Sequence, residues 1–397
     1  MKTFIRSVPR PTPLWVAALA LVLGSGAASA ASASPAAGQV PTFPLATPQL
    51  MAQAEAKAAQ AGGVSEASVP CTRKHRHGLR YSVLRLETPG RDVYLGAVNN
   101  HGWVVGYARA ASGSLIATLW IGSRLFDLGN LGGRSSSASD INDRGQVVGQ
   151  SSGADAVTRP FLWYRGRMSA LPNLPDGTGR AAAFGINRAG LVSGDSAIPR
   201  SGPGALQAQA VLWRNGVPRA LPGFGGGRRA TTNRINDAGY SVGFGYDAAD
   251  EQHALLWTPK DEAVSLGKDW IAVDINNAGL VAGYAFVGRE WVKPVTWYRG
   301  LQTILPTLGG DNGMVYGLNE RGQAVGSSET PTGKERATLW LEGRPIQIDT
   351  LLEDREQGME IAVAYAINDK GQIAAAQRLP ENAMQPLLLT PRRCHGK

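Results

Sequence analysis

A short pattern recurs seven times along this 397-residue chain and limits the folds that it can adopt. One copy, at residues 141–149, reads INDRGQVVG, and an apolar run that ends in Trp163 follows it. The repeated asparagines are Asn99, Asn142, Asn187, Asn236, Asn276, Asn319 and Asn368. Subtraction gives spacings of 43, 45, 49, 40, 43 and 49 residues. A period near 45 residues is typical of a four-stranded β-propeller blade.

Each copy reads as two short β-branched runs joined by Asn-x-x-Gly, in which the asparagine closes a turn and the glycine adopts positive φ. A second glycine ends the next run in six copies, and Ala375 replaces it in the seventh. Two further runs follow, as at residues 117–120 and 125–128. The absence of long helical periodicity excludes alternating βαβ units, and a leucine-rich horseshoe would need a shorter period. We therefore predict an all-β, seven-bladed propeller of four-stranded blades.

The stretch from LGNLGG at residues 128–133 through Trp163 resembles the HAF family of probable extracellular repeat proteins. The family pattern of L-G-x-L-G-G, I-N-x-x-G-Q-V-V-G and A-F-L-W covers about four fifths of this chain. Such repeats are similar to propeller blades, and the resemblance supplies no catalytic residue. This chain departs from the pattern at Ala375, at Leu389 and at Arg234, which precedes a buried isoleucine.

The N-terminus has the features of a secretory signal. Lys2, Arg6 and Arg10 precede an apolar run at 14–23, and the small residues at 28–30 follow it. These features predict a signal peptide at 1–30, and the apolar run is too short to span a bilayer. We expect an exported, periplasmic or extracellular protein whose mature chain does not span the membrane.

Residues 31–70 are rich in Ala, Pro and Gln and predict a flexible linker, with one frayed helix around residues 49–60. The propeller then occupies residues 71–397. Removal of the signal takes three positive charges from the formal net charge of +9 and leaves +6. A basic exported chain is expected to attract anionic envelope polymers without specificity.

The two ends of the chain are predicted to meet in the last blade. The seventh repeat lacks a fourth strand, and the run at residues 80–86 precedes the first repeat. Tyr81 lies 18 residues before Asn99, and Met168, which opens the fourth strand of blade two, lies 19 before Asn187. We therefore expect this N-terminal strand to complete blade seven, with Tyr81 at the position of Met168.

Cys71 and Cys394 bracket the repeats and would lie at this seam. A disulfide between them would persist in an oxidising compartment, and closing a loop of 394 − 71 = 323 residues would contribute roughly 5 kcal/mol at most. The alternative is a zinc site that also uses His75, His77 and His395. Because arginine and lysine side chains crowd the same segments, we expect neither a metal nor a cofactor.

Catalytic motifs are poorly supported. Residues 149–153 match G-x-S-x-G, but a blade strand that leads into a loop cannot form a nucleophile elbow. His101 and His253 are the only histidines within the repeats, and the sequence indicates no partner for either. The acidic residues that follow the repeat asparagine supply too few oxygens in each turn for calcium, so they are interpreted as turn residues. The recurring tryptophans are interpreted as packing between blades.

Propellers commonly bind partners at the face that carries the loops between the fourth and first strands and between the second and third strands, here called the loop face. A basic rim is predicted there from Arg91, Arg134, Arg180, Arg228, Arg229, Lys268 and the adjacent Trp270. Such a rim suits a polymer bearing carboxylates or phosphates. The alternative is ordinary surface charge, since the same loops contain Asp176, Asp269, Asp311 and Glu353.

The sequence favours an exported, non-catalytic binding or interaction scaffold in the cell envelope or outside the cell, for an anionic polymer or a protein. The alternative is a carbohydrate-active hydrolase or lyase at the mouth of the channel. Its only inward candidates are Asp140, Arg234 and Asp274. A monomer is expected, and nucleic-acid binding is not.

Overall fold

The computed structural model describes residues 44–62, 79–90, 92–175, 177, 179–199, 206–288, 291–353 and 358–393. The predicted signal peptide, part of the linker, and both Cys71 and Cys394 lie outside these residues. None of the described helices has the length and hydropathy that crossing a membrane requires.

Twenty-eight strands form seven antiparallel, four-stranded blades in a ring, which confirms the predicted fold class. Blade one contains β2 to β5, at Val93–Val98, Val104–Arg109, Leu115–Ile121 and Arg124–Asp127. Blade two contains β6 to β9, at Gly132–Ile141, Val147–Gly153, Thr158–Tyr164 and Arg167–Ala170. Blade three contains β10 to β13, at Ala181–Ile186, Val192–Pro199, Leu206–Arg214 and Val217–Ala220.

Blade four contains β14 to β17, at Ala230–Ile235, Ser241–Tyr246, Gln252–Trp257 and Ala263–Lys268. Blade five contains β18 to β21, at Trp270–Ile275, Val281–Val287, Trp291–Tyr298 and Leu301–Ile304. Blade six contains β22 to β25, at Gly313–Leu318, Ala324–Glu329, Glu335–Leu341 and Arg344–Gln347. Short 3-10 helices lie at Ile348–Leu351 and Pro380–Asn382.

Blade seven joins the two ends of the chain, as predicted. Its strands are β26 to β28 and β1, at Ile361–Ile367, Ile373–Arg378, Met384–Arg393 and Leu79–Arg85.

The register at this seam differs from the prediction by two residues. Val83, and not Tyr81, lies opposite Leu389, as Met168 lies opposite Trp163. The error arose because the connection to the next blade is shorter here: the distance from Val83 to Asn99 is 99 − 83 = 16 residues, against 187 − 168 = 19 in blade two.

A β-bulge in the first strand of every blade explains the second glycine of the repeat. The ladder skips the residue three before each repeat asparagine, as at Ser139 in blade two. The first strand then approaches the second so closely that a Cβ on Gly149 would lie 2.0 Å from the Ser137 carbonyl oxygen. Blade seven has a further register shift, between Ile361 and Val363, and accommodates Ala375.

The repeat tryptophans pack between blades, as predicted. Five of them are at most 1% exposed: Trp120, Trp163, Trp213, Trp257 and Trp340. In four, the indole N–H donates to a carbonyl in the loop that arrives from the preceding blade, as from Trp213 to Pro172 at 2.7 Å. Each of these indole rings thus fills the wedge-shaped space between two blades, and its N–H holds the incoming loop in place.

A segment before the propeller packs against blades one and two. Leu45 pairs in parallel with Asp127, at the outer edge of blade one, and helix α1 follows at Pro48–Gly62. Met51 and Ala54 of this helix are buried in the cluster that fills the space between the two blades. These residues belong to the predicted linker, and α1 includes the helix expected around residues 49–60.

Candidate functional site: the central channel

The repeat asparagines form a closed ring of hydrogen bonds around the channel. Each side-chain amide donates to the main-chain carbonyl of the next repeat asparagine, at 2.7–3.2 Å, and Asn368 closes the ring onto Asn99. The side-chain oxygens accept from N–H groups of their own turns, as Asn142 does from Arg144 and Gln146. The sequence predicted the turns but not these bonds between blades.

A second ring surrounds the mouth of the channel on the side of these turns, here called the turn face. Its members follow the asparagines and are Asn100, Asp143, Arg188, Asp237, Asn277, Glu320 and Asp369. In six of the seven steps, a side-chain oxygen accepts the backbone N–H of the preceding member, as Asp237 does from Arg188 at 2.9 Å. Arg188 has no acceptor, and its guanidinium instead lies 3.7 Å from Asp143.

These bonds occupy the carboxylates that were considered for calcium. Burial raises the pKa of Glu320, and the nearby Asp369 and Asp237 add to this effect, while the bond from Asn277 opposes it. This second ring, here called the mouth ring, therefore forms a second set of hydrogen bonds between blades.

The three inward candidates Asp140, Arg234 and Asp274 line one cavity of about 190 Å³ below the mouth. Arg234 extends across the channel from blade four. Its guanidinium donates to the carbonyl of Phe184 at 2.5 Å and to that of Gly96 at 2.9 Å, so one side chain joins blades three and one.

The two aspartates are also used as links. Asp274 accepts from Leu318 N–H of blade six and from Ile275 N–H, both at 2.8 Å. Asp140 accepts in the same way from Ile186 of blade three at 2.8 Å and from Ile141 at 2.9 Å.

Burial raises the pKa of Asp274 to about 6, against the opposing charge of Arg234. Burial raises the pKa of Asp140 as well, with the same arginine opposing it. A pKa near 6 suits a general acid or base. However, each oxygen of both carboxylates accepts a backbone N–H, so linking the blades already accounts for their position in the channel.

Tyrosines narrow the channel beyond Arg234. The ring of Tyr94 stacks on Tyr107 at 5.3 Å and meets Tyr365 edge to face at 4.9 Å, and Tyr316 lies 6.4 Å from Tyr365. These half-buried rings come from blades one, six and seven. The cavity that Arg234 and Tyr316 line also reaches the ring of residues at the turn face, and it is here called the funnel.

The members of the predicted basic rim differ in exposure. Arg134 and Arg228 are exposed, whereas Trp270 is 0% exposed and packs in the core. Arg229 lies over the Tyr246 ring at 3.4 Å.

Acidic residues neutralise part of the same rim. Arg229 pairs with Asp250 at 2.8 Å, and Lys268 pairs with Glu251. Arg180 opposes the rise that burial causes in the pKa of Asp195. Arg91 lies outside the described residues, and the binding role of the rim stays a prediction.

The structure supplies partners for His253, which the sequence did not indicate. One ring nitrogen lies 2.9 Å from the Ser265 hydroxyl, and the other lies 3.3 Å from Asp247. Ligand atoms of Asp247, Glu251 and His253 lie within 4.8 Å of one another, but the Lys268 ammonium already neutralises Glu251. The strand register within blade four brings these four side chains, including Ser265, close together. Sequence periodicity does not give that register.

The remaining sequence candidates are structural. Ser151, from the G-x-S-x-G match, is 1% exposed, and its hydroxyl accepts the Leu131 N–H at 3.0 Å. His101 lies in its turn, 3.1 Å from the Asp143 carbonyl oxygen.

Several solved structures resemble this fold at low sequence identity. A puromycin-hydrolyzing peptidase of Mycobacterium tuberculosis matches over 82% of this chain and 56% of that chain, with a TM-score of 0.52 and 12% identity. An acylaminoacyl peptidase of Pyrococcus horikoshii matches over 77% and 52%, with a TM-score of 0.46 and 12% identity. TolB from Acinetobacter baumannii matches over 79% and 63%, with a TM-score of 0.39 and 10% identity.

This chain spans less than two thirds of the length of each of these proteins. The likeness to the first of them shows the fold alone. No protein-family model matches the chain, and no match is found among curated proteins.

Proposed function

We propose that the protein is an exported, non-catalytic propeller that binds an anionic polymer or a protein of the cell envelope through its loop face. The observation that carries this proposal is the use of the inward charges. Arg234, Asp140 and Asp274 each hold a backbone group of another blade, so a structural role accounts for all three inward charges without catalysis. Binding is then left to the loops, which differ between blades.

Two cations of the predicted rim are free to meet a ligand. Arg134 and Arg228 are exposed, and within the described part of the chain neither has an ion-pair partner. Export rests on the N-terminal signal features and on the expected disulfide at the seam, where β1 and β28 do pair.

A binding screen on the mature protein tests the ligand class. We expect binding to carboxylate- or phosphate-bearing glycans that falls in Arg134→Glu/Arg228→Glu. The matched control is Arg144→Glu/Lys370→Glu, which makes the same charge change at exposed positions of the turn face. Equal loss in both variants would mean nonspecific attraction and would contradict the proposal.

A mass map of the exported protein under nonreducing conditions tests both the predicted export and the predicted disulfide. We expect a peptide that joins Cys71 to Cys394 and an N-terminus at Ala31. Free thiols together with an intact N-terminus would contradict export.

The raised pKa of Asp274 is the observation that favours the enzyme alternative, a glycan hydrolase or lyase. Asp274→Asn would abolish such an activity. Asp195→Asn is the control, because burial raises that pKa to about 6 too and Asp195 does not line the funnel. We expect no turnover of envelope glycans by the parent protein or by either variant.

A further inference from the structure

Two spaces between neighbouring blades are equivalent in strand position but differ in what covers them. The first, the one–two groove, is lined by Leu119 and Phe126 of blade one and by Trp163 and Met168 of blade two. Phe126 lies opposite Leu119, and Met168 lies opposite Trp163. Side chains of α1 and of the residues before it share the buried cluster that these residues form.

The second, the four–five groove, is lined by the corresponding residues of blades four and five. Val264 lies opposite Leu256, and Gln302 lies opposite Trp297. Ile304 follows two residues after Gln302 and so faces the same side of its strand. Leu256 and Trp297 pack against the cluster between these blades, as Leu119 and Trp163 do between blades one and two.

Exposure separates the two grooves. In the one–two groove, Phe126 is 0% exposed and Trp163 is 1% exposed. In the four–five groove, Val264 is 42% exposed, Ile304 is 56% exposed and Trp297 is half-buried. An apolar surface that a helix covers at one site is therefore open at the other.

The glycine at the hairpin between the third and fourth strands shows the same difference. A Cβ added to Gly166 of blade two would lie 3.0 Å from the carbonyl oxygen of Ala46, just before α1. At the equivalent Gly300 of blade five, no described atom lies within 4 Å. The four–five groove therefore has room for a segment that runs as residues 44–48 do.

The outer strand of blade five also lacks the protection of the other outer strands. Strands β1, β5, β9, β13, β17 and β25 each contain a charged residue or a proline, which discourages pairing with another chain. Strand β21, at Leu301–Ile304, contains neither, and all four of its residues are exposed. This edge is thus suited to contact with a second polypeptide.

We propose that the four–five groove binds an amphipathic helix of a partner protein, in the way that the one–two groove holds α1. The expected partner segment has apolar side chains spaced three residues apart, as Met51 and Ala54 are, and an extended residue before the helix. In the one–two groove, that residue is Leu45, which pairs with β5. Among the described residues, α1 is the one α-helix, and it is already buried between blades one and two. We therefore assign the helix to a partner protein.

The experiment uses a labelled synthetic peptide with the sequence of residues 44–62, titrated into the full-length protein and followed by fluorescence anisotropy. We expect saturable binding, weakened at least about tenfold in Val264→Asp/Ile304→Asp. Both side chains are exposed, so the variant keeps its fold. A peptide carrying Met51→Asp is expected to bind at least about tenfold more weakly to the parent protein.

The matched control is Val217→Asp/Leu206→Asp, which changes exposed apolar residues of blade three. It should bind the peptide as the parent does. Absence of saturable binding below about 1 mM, or equal binding by the groove variant and the parent, would overturn the proposal. So would a dimer in light scattering that the groove variant converts to a monomer, because the occupant would then be a second copy.

Discussion

The asparagine ring and the set formed by Asp140, Arg234 and Asp274, here called the charged layer, join the blades in different ways. Each charged residue lies two positions before a repeat asparagine, in blades two, four and five. The ring uses one residue type seven times, and each bond reaches only the next blade. The charged layer uses Asp140, Arg234 and Asp274, and the arginine reaches two other blades at once. A repeated link gives a uniform ring, whereas a unique link fixes which blades face each other across the channel.

Replacing Arg234, the unique link, should lower the free energy of unfolding more than the other substitutions considered below. In Arg234→Met, the carbonyls of Phe184 and Gly96 lose a donor, and Asp140 and Asp274 lose their nearby positive charge. We expect a loss of about 3 kcal/mol, at the low end for a buried charge because the funnel admits water. Urea unfolding at neutral pH measures this change.

The control for this change is Arg188→Met at the mouth. The Arg188 side chain is 64% exposed and its ion pairs are long, at 3.7 and 3.9 Å. We expect a change within about 0.5 kcal/mol. Equal losses for the two arginines would remove the distinction between a unique internal link and a surface charge.

Asp274 of the charged layer should contribute a pH dependence of stability opposite in sign to that of an ion-paired carboxylate. The folded pKa of Asp274, about 6, lies above its ordinary value of 3.8. Its protonated form therefore stabilises the fold, and this contribution is complete below about pH 4 and is lost as pH rises through about 6. We expect a loss of about 2 kcal/mol from this group between these limits, after allowance for the water in the funnel.

Unfolding of the parent and of Asp274→Asn at several pH values isolates this contribution. The variant should lose less stability than the parent as pH rises from about 4 to about 7. A variant with the same pH dependence as the parent would show that Asp274 titrates at its ordinary pKa and that the funnel does not hold it neutral.

Substitutions in the asparagine ring should lower the free energy of unfolding by smaller amounts that are similar from blade to blade. In Asn236→Ala, the Asn276 carbonyl loses a donor and the Tyr240 N–H loses an acceptor. The Asn276 carbonyl keeps its bond from the Gly279 N–H, so only the Tyr240 N–H is left without a partner among the described residues, and we expect a loss of about 1–3 kcal/mol. Asn368→Ala should cost as much, because its bond to Asn99 closes the ring at 2.7 Å. A much smaller loss at Asn368 in chemical unfolding would mean that the seam is open in solution.

The sequence predicted most of the fold because the fold is repetitive. The period, the turn glycines, the packed tryptophans and the closing strand all follow from residues that recur, and recurrence reveals their shared environment. The bulge in each first strand could not be predicted, because it shows only in the ladder register. The consequence of that bulge, the second glycine, was visible but was interpreted only as the end of a strand.

The site was harder to predict because its residues do not recur. Asp140, Arg234 and Asp274 were named as inward residues, but their partners are backbone groups of other blades, and sequence gives no distance across a channel. Trp270 was placed on the rim beside Lys268. A connection of one residue, Asp269, brings it instead to the start of β18, where the ring is buried. Its indole N–H has no acceptor there, unlike those of four repeat tryptophans.

The mouth ring should be the least sensitive part of the channel, although it contains the most charge. In Asp237→Asn, the side-chain oxygen can still accept the Arg188 N–H, and the losses are the 3.9 Å ion pair and an exposed hydrogen bond from the Asn277 amide at 3.2 Å. We expect a change in unfolding free energy within about 0.5 kcal/mol, and smaller still at high salt. If Asp237→Asn instead cost as much as Asn236→Ala, the carboxylate and not the hydrogen bond would join these blades, and the mouth ring would have to be counted with the charged layer.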